Sequence, residues 1–301
     1  MKKNGFISIT VIYSFFLVFL SLMLFIVTNM ITNRNLLDNL KKEIKNDITD
    51  SNLVRYLMNH SDELNLVKHD DKLEYGLNDG SLRYTGTNPS NYLKFKNDSK
   101  VFRIIGVING KVKVIDIGKN NTLSYDNTLT NVYINTSIRT FLVTEYQNSM
   151  SSLMDYIDEA TYYVGGIDES LKNSNANIIA KEELSNNGSY VNDYFSLPYI
   201  SDYIYASSDA YNKTITKNNN WMYIGSDMWF LTRNKSNLIQ SFYLNSNGVL
   251  SIANVTDNKY INKVFFIKGN LRPLTFFIIP FSIFSSLTKS TASSDISSHC
   301  L

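Results

Sequence analysis

The residues best suited to metal binding or catalysis lie in two clusters. The first contains His60, Asp62, His69, Asp70 and Asp71. Histidines that share a metal ion on one helix stand three or four positions apart, because that spacing puts both rings on one face. His60 and His69 are nine positions apart in a polar stretch, so we predict a solvated linker here and no metal site.

The second cluster is acidic and contains Asp155, Asp158 and Glu159. Paired carboxylates can perform general acid–base chemistry, but acidic residues on a predicted helix are also typical of a solvated face. The sequence contains no phosphate-binding glycine loop, no zinc-protease motif and no serine nucleophile elbow. The single cysteine, Cys300, excludes a disulfide framework and a cysteine-based zinc site. We therefore expect neither an enzyme nor a bound cofactor.

The overall composition is that of a globular protein. Of the 301 residues, 44% are hydrophobic and 19% are charged, which is too apolar for a disordered chain. The formal net charge is only +2, so the chain lacks the basic footprint of a nucleic-acid-binding protein. We expect no nucleic-acid partner.

The N-terminal residues carry the strongest pattern in the chain. After Lys2 and Lys3, no charged residue occurs from residue 6 to residue 33. A bilayer core needs roughly 20 apolar residues in a helix, so this stretch predicts a transmembrane helix over 6–33. Apolar residues recur at the helical period beyond it, which predicts a stem helix and linker over 34–74.

The junction between Gly5 and Phe6 resembles that of a type IV prepilin, in which a short basic leader ends in glycine and an apolar helix begins with phenylalanine. The resemblance implies cleavage after Gly5 by a prepilin peptidase and N-methylation of Phe6. Type IV pilins usually carry glutamate at the fifth position after cleavage, whereas that assembly position is Thr10 here. The resemblance therefore fits a minor or accessory subunit. A cleaved secretory signal and an uncleaved signal anchor are the alternatives.

Residues 75–280 are interpreted as an α+β head. Two β-rich runs flank Asn109-Gly110, which is the strongest local signal for a hairpin. Lysines and valines alternate in the second run, 111–117, which assigns them to opposite faces of the strand. A second hairpin is predicted around Asn247-Gly248, and helical periods between the hairpins predict helices inserted into a mainly antiparallel sheet.

The head also resembles a group of bacterial surface domains that are often attached to prepilin-type N-termini. The shared motifs, in order, are residues 91–95, 102–106, 163–166, 200–207, 221–232 and 247–249, followed by Arg272-Pro273. The resemblance implies an extracellular sheet-based head and supplies no catalytic residues. Trp221, Trp229 and Arg103 are interpreted as core and framework positions.

The predicted fold class is α+β, with a long N-terminal transmembrane and stem helix followed by a mainly antiparallel β-sheet head. The predicted domains are a leader at 1–5, the transmembrane helix at 6–33, the stem and linker at 34–74, the head at 75–280 and a Ser/Thr-rich tail at 281–301. The boundaries follow the changes in hydropathy and composition along the chain.

The function that follows from the resemblance is a type IV pilin-like minor or accessory subunit. We expect a single membrane span that anchors it in the cell membrane, with the head outside the cell. The expected partners are membrane lipid, a prepilin peptidase and other pilin-like subunits. The alternative is a non-polymerising surface protein that binds a glycan or a protein, and an enzyme with unrecognised carboxylate chemistry is a third hypothesis.

Overall fold

A computed structural model gives the fold of part of the chain. It describes residues 13–14, 16–25, 27–28, 31, 52–96, 98–119, 121–185, 189–212, 215–269 and 276–279, with the backbone alone at 52, 211–212 and 276–279. The chain divides into two compact units, Met1–Thr49 and Asp50–Leu301. The second unit is α+β with mostly antiparallel sheets.

The fold prediction is wrong at its N-terminal end. The described residues of the first unit, which are 13–14, 16–25, 27–28 and 31, are all helical. Within the part of the chain that the structure describes, no helix combines the length and the apolar character needed to cross a membrane. The long transmembrane helix predicted over 6–33 is therefore not part of the described fold.

The structure describes the last part of the predicted stem. Helix α1 (Asn52–Asn59) is eight residues long and buries Leu53, Val54 and Leu57. These residues stand at i, i+1 and i+4, which is one face of a helix. The helix lies against strand β5 (Lys111–Asp116), so the last turns of the predicted stem pack on the sheet of the second unit.

An eight-stranded sheet is the larger sheet of the second unit. Its strands are β1 (Leu66–Lys68), β2 (Leu82–Tyr84), β3 (Tyr92–Phe95), β4 (Val101–Ile108), β5, β7 (Ile157–Asp158), β14 (Lys263–Ile267) and β15 (Phe276–Ile279). The order is β1-β2-β4-β5-β14-β7, and β3 lies beside the first half of β4 with β15 beyond it. Each of these pairs is antiparallel.

Two smaller sheets complete the strand arrangement of the described residues. The five-stranded sheet contains β6 (Thr122–Ser124), β10 (Met228–Arg233), β11 (Gln240–Leu244), β12 (Leu250–Asn254) and β13 (Asn258–Tyr260). Its order is β12-β11-β10-β13-β6, and within it β10 and β13 are parallel. Strands β8 (Ala160–Tyr163) and β9 (Tyr190–Asp193) form a separate antiparallel pair.

Short helices connect the strands. They are α2 (Ser137–Phe141), α3 (Gln147–Ser149), α4 (Ala176–Glu183) and α5 (Ile200–Ile204), with a π-helical turn at Leu142–Tyr146 and 3-10 turns at Tyr133–Asn135, Ser151–Tyr156, Glu169–Asn173 and Ser208–Asn212. Helix α2 begins after Thr136, whose side chain accepts a hydrogen bond from the amide of Arg139. Such an N-cap satisfies an amide that the helix itself leaves unpaired.

The two hairpins predicted from Asn-Gly pairs differ in their turns. Between β4 and β5, Asn109 and Gly110 both have positive φ, at 51° and 72°, as a tight two-residue turn requires. Between β11 and β12 the ladder closes at Leu244 and Leu250, and within that longer loop it is Gly248 that has positive φ. The Asn-Gly signal therefore predicts both hairpins but only one of the two turns.

Arg103 is a framework residue of the core. Its guanidinium carbon lies 4.5 Å from the ring centroids of both Tyr92 and Trp221. The same side chain donates hydrogen bonds to the Asn91 side chain and to the Trp221 carbonyl. These contacts hold β3 and the segment around Trp221 against β4.

Candidate functional site

A row of four residues crosses the larger sheet and carries two cations. Arg83 on β2 pairs with Gly106 on β4, Gly106 pairs with Lys113 on β5, and Lys113 pairs with Phe266 on β14. Directly opposite residues of antiparallel strands project from the same face of a sheet. Arg83 and Lys113 therefore lie on one face, on either side of a residue without a side chain.

Gly106 is required by the backbone around it. The ladder between β4 and β5 shifts its register between Ile104 and Gly106. Strand β2 approaches so closely that a Cβ atom at Gly106 would lie 2.0 Å from the carbonyl oxygen of Leu82, which is a severe steric clash. The glycine thus allows β2 to approach β4 and sets the position of Arg83.

Asp202 on α5 bridges the two cations. Its Oδ1 atom accepts a hydrogen bond from Arg83 Nη1 at 3.2 Å, and its Oδ2 atom accepts one from Lys113 Nζ at 2.5 Å. The side chains of Arg83, Lys113 and Asp202 are 3%, 2% and 1% exposed. Buried ions are costly unless they are paired and hydrogen-bonded, and each of these three residues has such a partner. We call Arg83, Lys113 and Asp202 the ionic cluster.

Two carboxylates fix the start of α5. Asp202 Oδ2 accepts the amide of Tyr199 at 3.0 Å. Glu183, the last residue of α4, accepts the amides of Ile200 and Ser201 at 2.7 and 2.8 Å. Burial raises the pKa of the Glu183 carboxyl, and its hydrogen bonds oppose that shift. The first turn of α5 is therefore held in place by one side chain of α5 itself and one from the end of α4.

A third carboxylate, Asp79, lies at the edge of the ionic cluster. Its Oδ1 atom accepts the amide and the hydroxyl of Ser81 at 2.9 and 2.6 Å, and its Oδ2 atom is 3.8 Å from Arg83 Nη2. Burial alone would raise the pKa of Asp79, but the Arg83 charge and the Ser81 hydrogen bonds bring it below its ordinary value. Asp79 is therefore ionised at neutral pH.

The ionic cluster and Asp79 line a cleft of about 340 Å³. This volume falls within the roughly 300–1,000 Å³ of small-molecule sites. Most of the remaining lining is aromatic and comes from Tyr162, Tyr163, Tyr190, Tyr199 and Phe266. Asn109 and Thr161 add polar side chains, so the cleft combines a charged floor, aromatic walls and a polar edge.

The aromatic walls are held by defined contacts. Lys113 Nζ lies 4.5 Å from the ring centroid of Tyr199. The Tyr199 hydroxyl donates to the Tyr163 carbonyl at 2.9 Å and accepts the Tyr163 amide at 2.7 Å. The rings of Tyr163 and Tyr190 are 5.5 Å apart, and Tyr190 is 52% exposed. The walls thus run from the buried cluster to an exposed tyrosine.

Two polar groups of the cleft retain hydrogen-bonding capacity. The Tyr163 hydroxyl is buried and has no hydrogen-bond partner among the described residues. The Lys113 ammonium has three N–H groups, one of which donates to Asp202. Burial lowers the pKa of Lys113, and the Asp202 carboxylate opposes that shift. Buried polar groups normally have partners. The Lys113 ammonium can therefore serve a bound molecule, whereas the Tyr163 hydroxyl lies close to Gly165, which is not part of the cleft lining.

The two clusters that the sequence offered for metal binding or acid–base chemistry do not line this cleft. Gly5, Phe6 and Thr10 lie outside the described residues. Asp158 ends β7 and pairs with Lys111, whereas Asp155 belongs to a separate 3-10 turn, so the acidic residues do not share one helix face. In the described ranges, no three His, Cys, Asp or Glu side chains come together as a metal site.

His69 corrects the prediction of a solvated linker. The side chain is completely buried, and its Nδ1 atom accepts the amide of Leu77 at 3.2 Å. Burial and the nearby Arg83 charge lower the pKa of His69 to about 3. The segment around His69 is therefore structured beneath the ionic cluster, and its histidine is neutral at physiological pH.

The ionic cluster has no signature in the local sequence. Asp202 is 119 residues from Arg83 and 89 residues from Lys113, and no local pattern pairs charges across such separations. Lys113 follows the same alternation as Lys111, which predicts one face for both. The only local signal is an isolated lysine between two valines, and it does not distinguish an exposed side chain from a buried one.

Comparison of the chain with models of protein families, with curated proteins and with solved structures finds no match. The cleft is therefore interpreted from its own geometry and charge.

Proposed function

We propose that this chain is a surface-displayed binding protein. Its second unit acts as a non-catalytic head that holds a small ligand, and its pilin-like N-terminus displays the head as a minor or accessory subunit. The observation that carries the proposal is the 340 Å³ cleft with its buried ionic floor and aromatic walls. A concave site of this size suits a small molecule, whereas a protein interface needs about 800 Å² from each partner.

The hydrogen bonding of the cleft favours binding over catalysis. Asp202 already accepts hydrogen bonds from Arg83, Lys113 and the Tyr199 amide. A general base must accept a proton from the substrate within hydrogen-bond reach. Protonation of Asp202 would remove the negative charge that compensates two buried cations, so the floor is better suited to holding a ligand than to transforming it.

Display at the cell surface is supported by the N-terminal sequence. The junction of Gly5 and Phe6 has the residue types of a prepilin cleavage site, and processing there leaves a chain that begins with N-methylated Phe6. Thr10 in place of glutamate supports an accessory subunit, because threonine cannot form the ion pair through which pilin subunits associate.

Thermal unfolding of the purified full chain tests the binding function. A library of sugars, amino acids, nucleotides and short peptides is screened, since a ligand at about 100 times its Kd stabilises its protein by about 2.7 kcal/mol. Thr161→Trp places a large ring at an exposed position of the cleft edge and should abolish the rise in Tm. Tyr56→Ala, which removes an exposed tyrosine of α1, is the matched control and should retain it.

Two results would contradict the binding function. One is a library in which no compound raises the Tm of the wild type. The other is a set of ligands that stabilise Thr161→Trp as much as the wild type, because these ligands would bind outside the cleft.

Mass spectrometry of the mature N-terminus tests the display function in cells that contain a prepilin peptidase. The wild type should begin at methylated Phe6, and Gly5→Ala should retain Met1. A wild-type chain that also retains Met1 would exclude pilin-like processing, whatever the cleft binds.

A further inference from the structure

We infer that the ligand of the cleft is a neutral sugar ring. The inference rests on the proposed binding function and specifies the chemical class of the ligand. It follows from three properties of the cleft, which are its charge balance, its supply of hydrogen-bond donors and acceptors, and its aromatic walls.

The ionised groups of the cleft balance one another. Arg83 and Lys113 supply two positive charges, and Asp79 and Asp202 supply two negative charges at nitrogen–oxygen distances of 2.5 to 3.8 Å. A charged ligand would add an uncompensated charge to a floor that is almost completely desolvated, and such a charge is costly. The floor therefore favours a ligand without net charge.

A zwitterionic ligand such as an amino acid fits the floor less well. Its ammonium group would need a carboxylate acceptor, but Asp202 already accepts three donors. Asp79 already accepts two hydrogen bonds from Ser81. The floor thus offers donors in excess of acceptors, and an ammonium group would add to that excess.

Hydroxyl groups match the hydrogen-bonding capacity of the cleft. The Arg83 guanidinium has five N–H groups, of which one donates to Ser81 and one to Asp202. The ammonium of Lys113 likewise donates to Asp202 with one of its three N–H groups. These cations can donate to hydroxyl oxygens, while Asn109 and Thr161 at the edge can accept hydroxyl protons. A ring with several hydroxyl groups meets both needs, because each hydroxyl can donate and accept.

The aromatic walls match the other surface of a sugar ring. A pyranose carries its hydroxyl groups around the rim and leaves C–H groups on its two faces. Tyrosine has an apolar ring and a polar tip, and four tyrosines line this cleft. Tyr190 is 52% exposed, so it is the wall residue on which an entering ring can pack.

Saturation-transfer NMR on the purified full chain tests the inference. The neutral probes are D-glucose, D-galactose and N-acetyl-D-glucosamine, and the charged probes are D-glucuronic acid and glucose 6-phosphate. We expect saturation transfer to the ring protons of a neutral probe in the wild type and in Tyr56→Ala. Tyr190→Ala should raise the Kd about tenfold through loss of an aromatic contact. Thr161→Trp should abolish the transfer, and it keeps the test decisive if Tyr190→Ala does not fold.

The outcomes separate this inference from the function on which it rests. Binding of the charged probes alone, lost in Thr161→Trp, would overturn the sugar class and leave the binding function intact. The same conclusion would follow if none of the neutral probes bound and the thermal screen found a ligand of the cleft that is not a sugar. Equal transfer to the neutral probes in the wild type and Thr161→Trp would overturn the inference, because the sugars would then bind elsewhere. Failure of the whole library would overturn the binding function itself.

Discussion

The substitution Asp202→Ala is a direct test of the ionic cluster. It removes the one carboxylate that contacts both Arg83 and Lys113, whose side chains are 3% and 2% exposed. It also removes the acceptor of the Tyr199 amide at the start of α5. The variant therefore keeps two buried cations on one face of the sheet without their shared partner.

The expected loss of stability follows from burial. Removal of one member of a buried ion pair costs about 3–5 kcal/mol, because the remaining charge stays desolvated. Asp79 lies 3.8 Å from Arg83 and continues to compensate its charge, so Lys113 accounts for most of the loss. For a unit of this size each kcal/mol corresponds to about 2–4 °C, so the Tm should fall by about 6–20 °C.

Urea denaturation followed by tryptophan fluorescence measures this loss, since Trp221 and Trp229 are both buried in the second unit. Asp158→Ala is the matched control, because the Lys111–Asp158 pair has side chains that are 43% and 32% exposed. Exposed pairs contribute at most about 1 kcal/mol. Asp202→Ala should therefore lower the free energy of unfolding several times more than Asp158→Ala does.

A second variant keeps the test specific to charge. Lys113→Met in the Asp202→Ala background removes a cation that has lost its partner and should recover part of the lost stability. The reasoning is refuted if Asp202→Ala costs no more than Asp158→Ala. It is refuted equally if Lys113→Met recovers nothing, because the loss would then come from packing rather than from charge.

Two further predictions concern residues next to the cluster. His69 has a pKa of about 3 in the fold and about 6.5 in the unfolded chain. As the pH falls below 6.5, the unfolded chain binds a proton that the folded chain does not bind. The free energy of unfolding therefore decreases, by roughly 2 kcal/mol between pH 7 and pH 5. The difference in unfolding free energy between the wild type and His69→Asn should change by this amount, and a pH-independent difference would contradict the burial argument. Gly106→Ala should lower the free energy of unfolding by about 2–3 kcal/mol through overpacking against β2. Gly76→Ala is its control, since the atoms nearest to a Cβ there all belong to the Leu73 side chain, which can shift, and equal effects of the two substitutions would show that the β2–β4 approach is not limiting.

Elements specified by neighbouring residues could be predicted from the sequence. The β4–β5 hairpin is an example, because its turn depends only on the conformations of Asn109 and Gly110. The pairing of β5 with β14 could not be predicted in this way. It places Asp116 opposite Lys263, and no local signal specifies a partner so far along the sequence. Hydropathy predicted a long transmembrane helix over 6–33, but no helix among the described residues has the length and apolar character to cross a membrane. The packing of α1 on β5 involves a strand that is remote in the sequence, so local sequence does not specify it.

The cleft could not be predicted from the sequence, because its contacts also join residues that are remote in the chain. Lys113 alternates with apolar residues along β5, as an exposed strand residue does. It is nevertheless buried, because its ammonium pairs with Asp202 on a helix that is remote in the sequence. His69 lies in a polar stretch and is buried nonetheless. In both cases the environment is created by residues that are remote in the chain, so a reading of local sequence assigns the side chain to solvent.

The place of β14 in the larger sheet has a consequence for synthesis of the protein. Strand β5 is complete at Asp116, yet the strand that covers its second edge begins at Lys263. At about 5–20 residues per second the ribosome needs roughly 7–30 s to make the intervening segment. During that interval β5 is an open edge to which other nascent chains can add. Lysine on an open edge discourages such addition, so we expect Lys113 to limit aggregation of the growing chain before Asp202 and β14 enclose it.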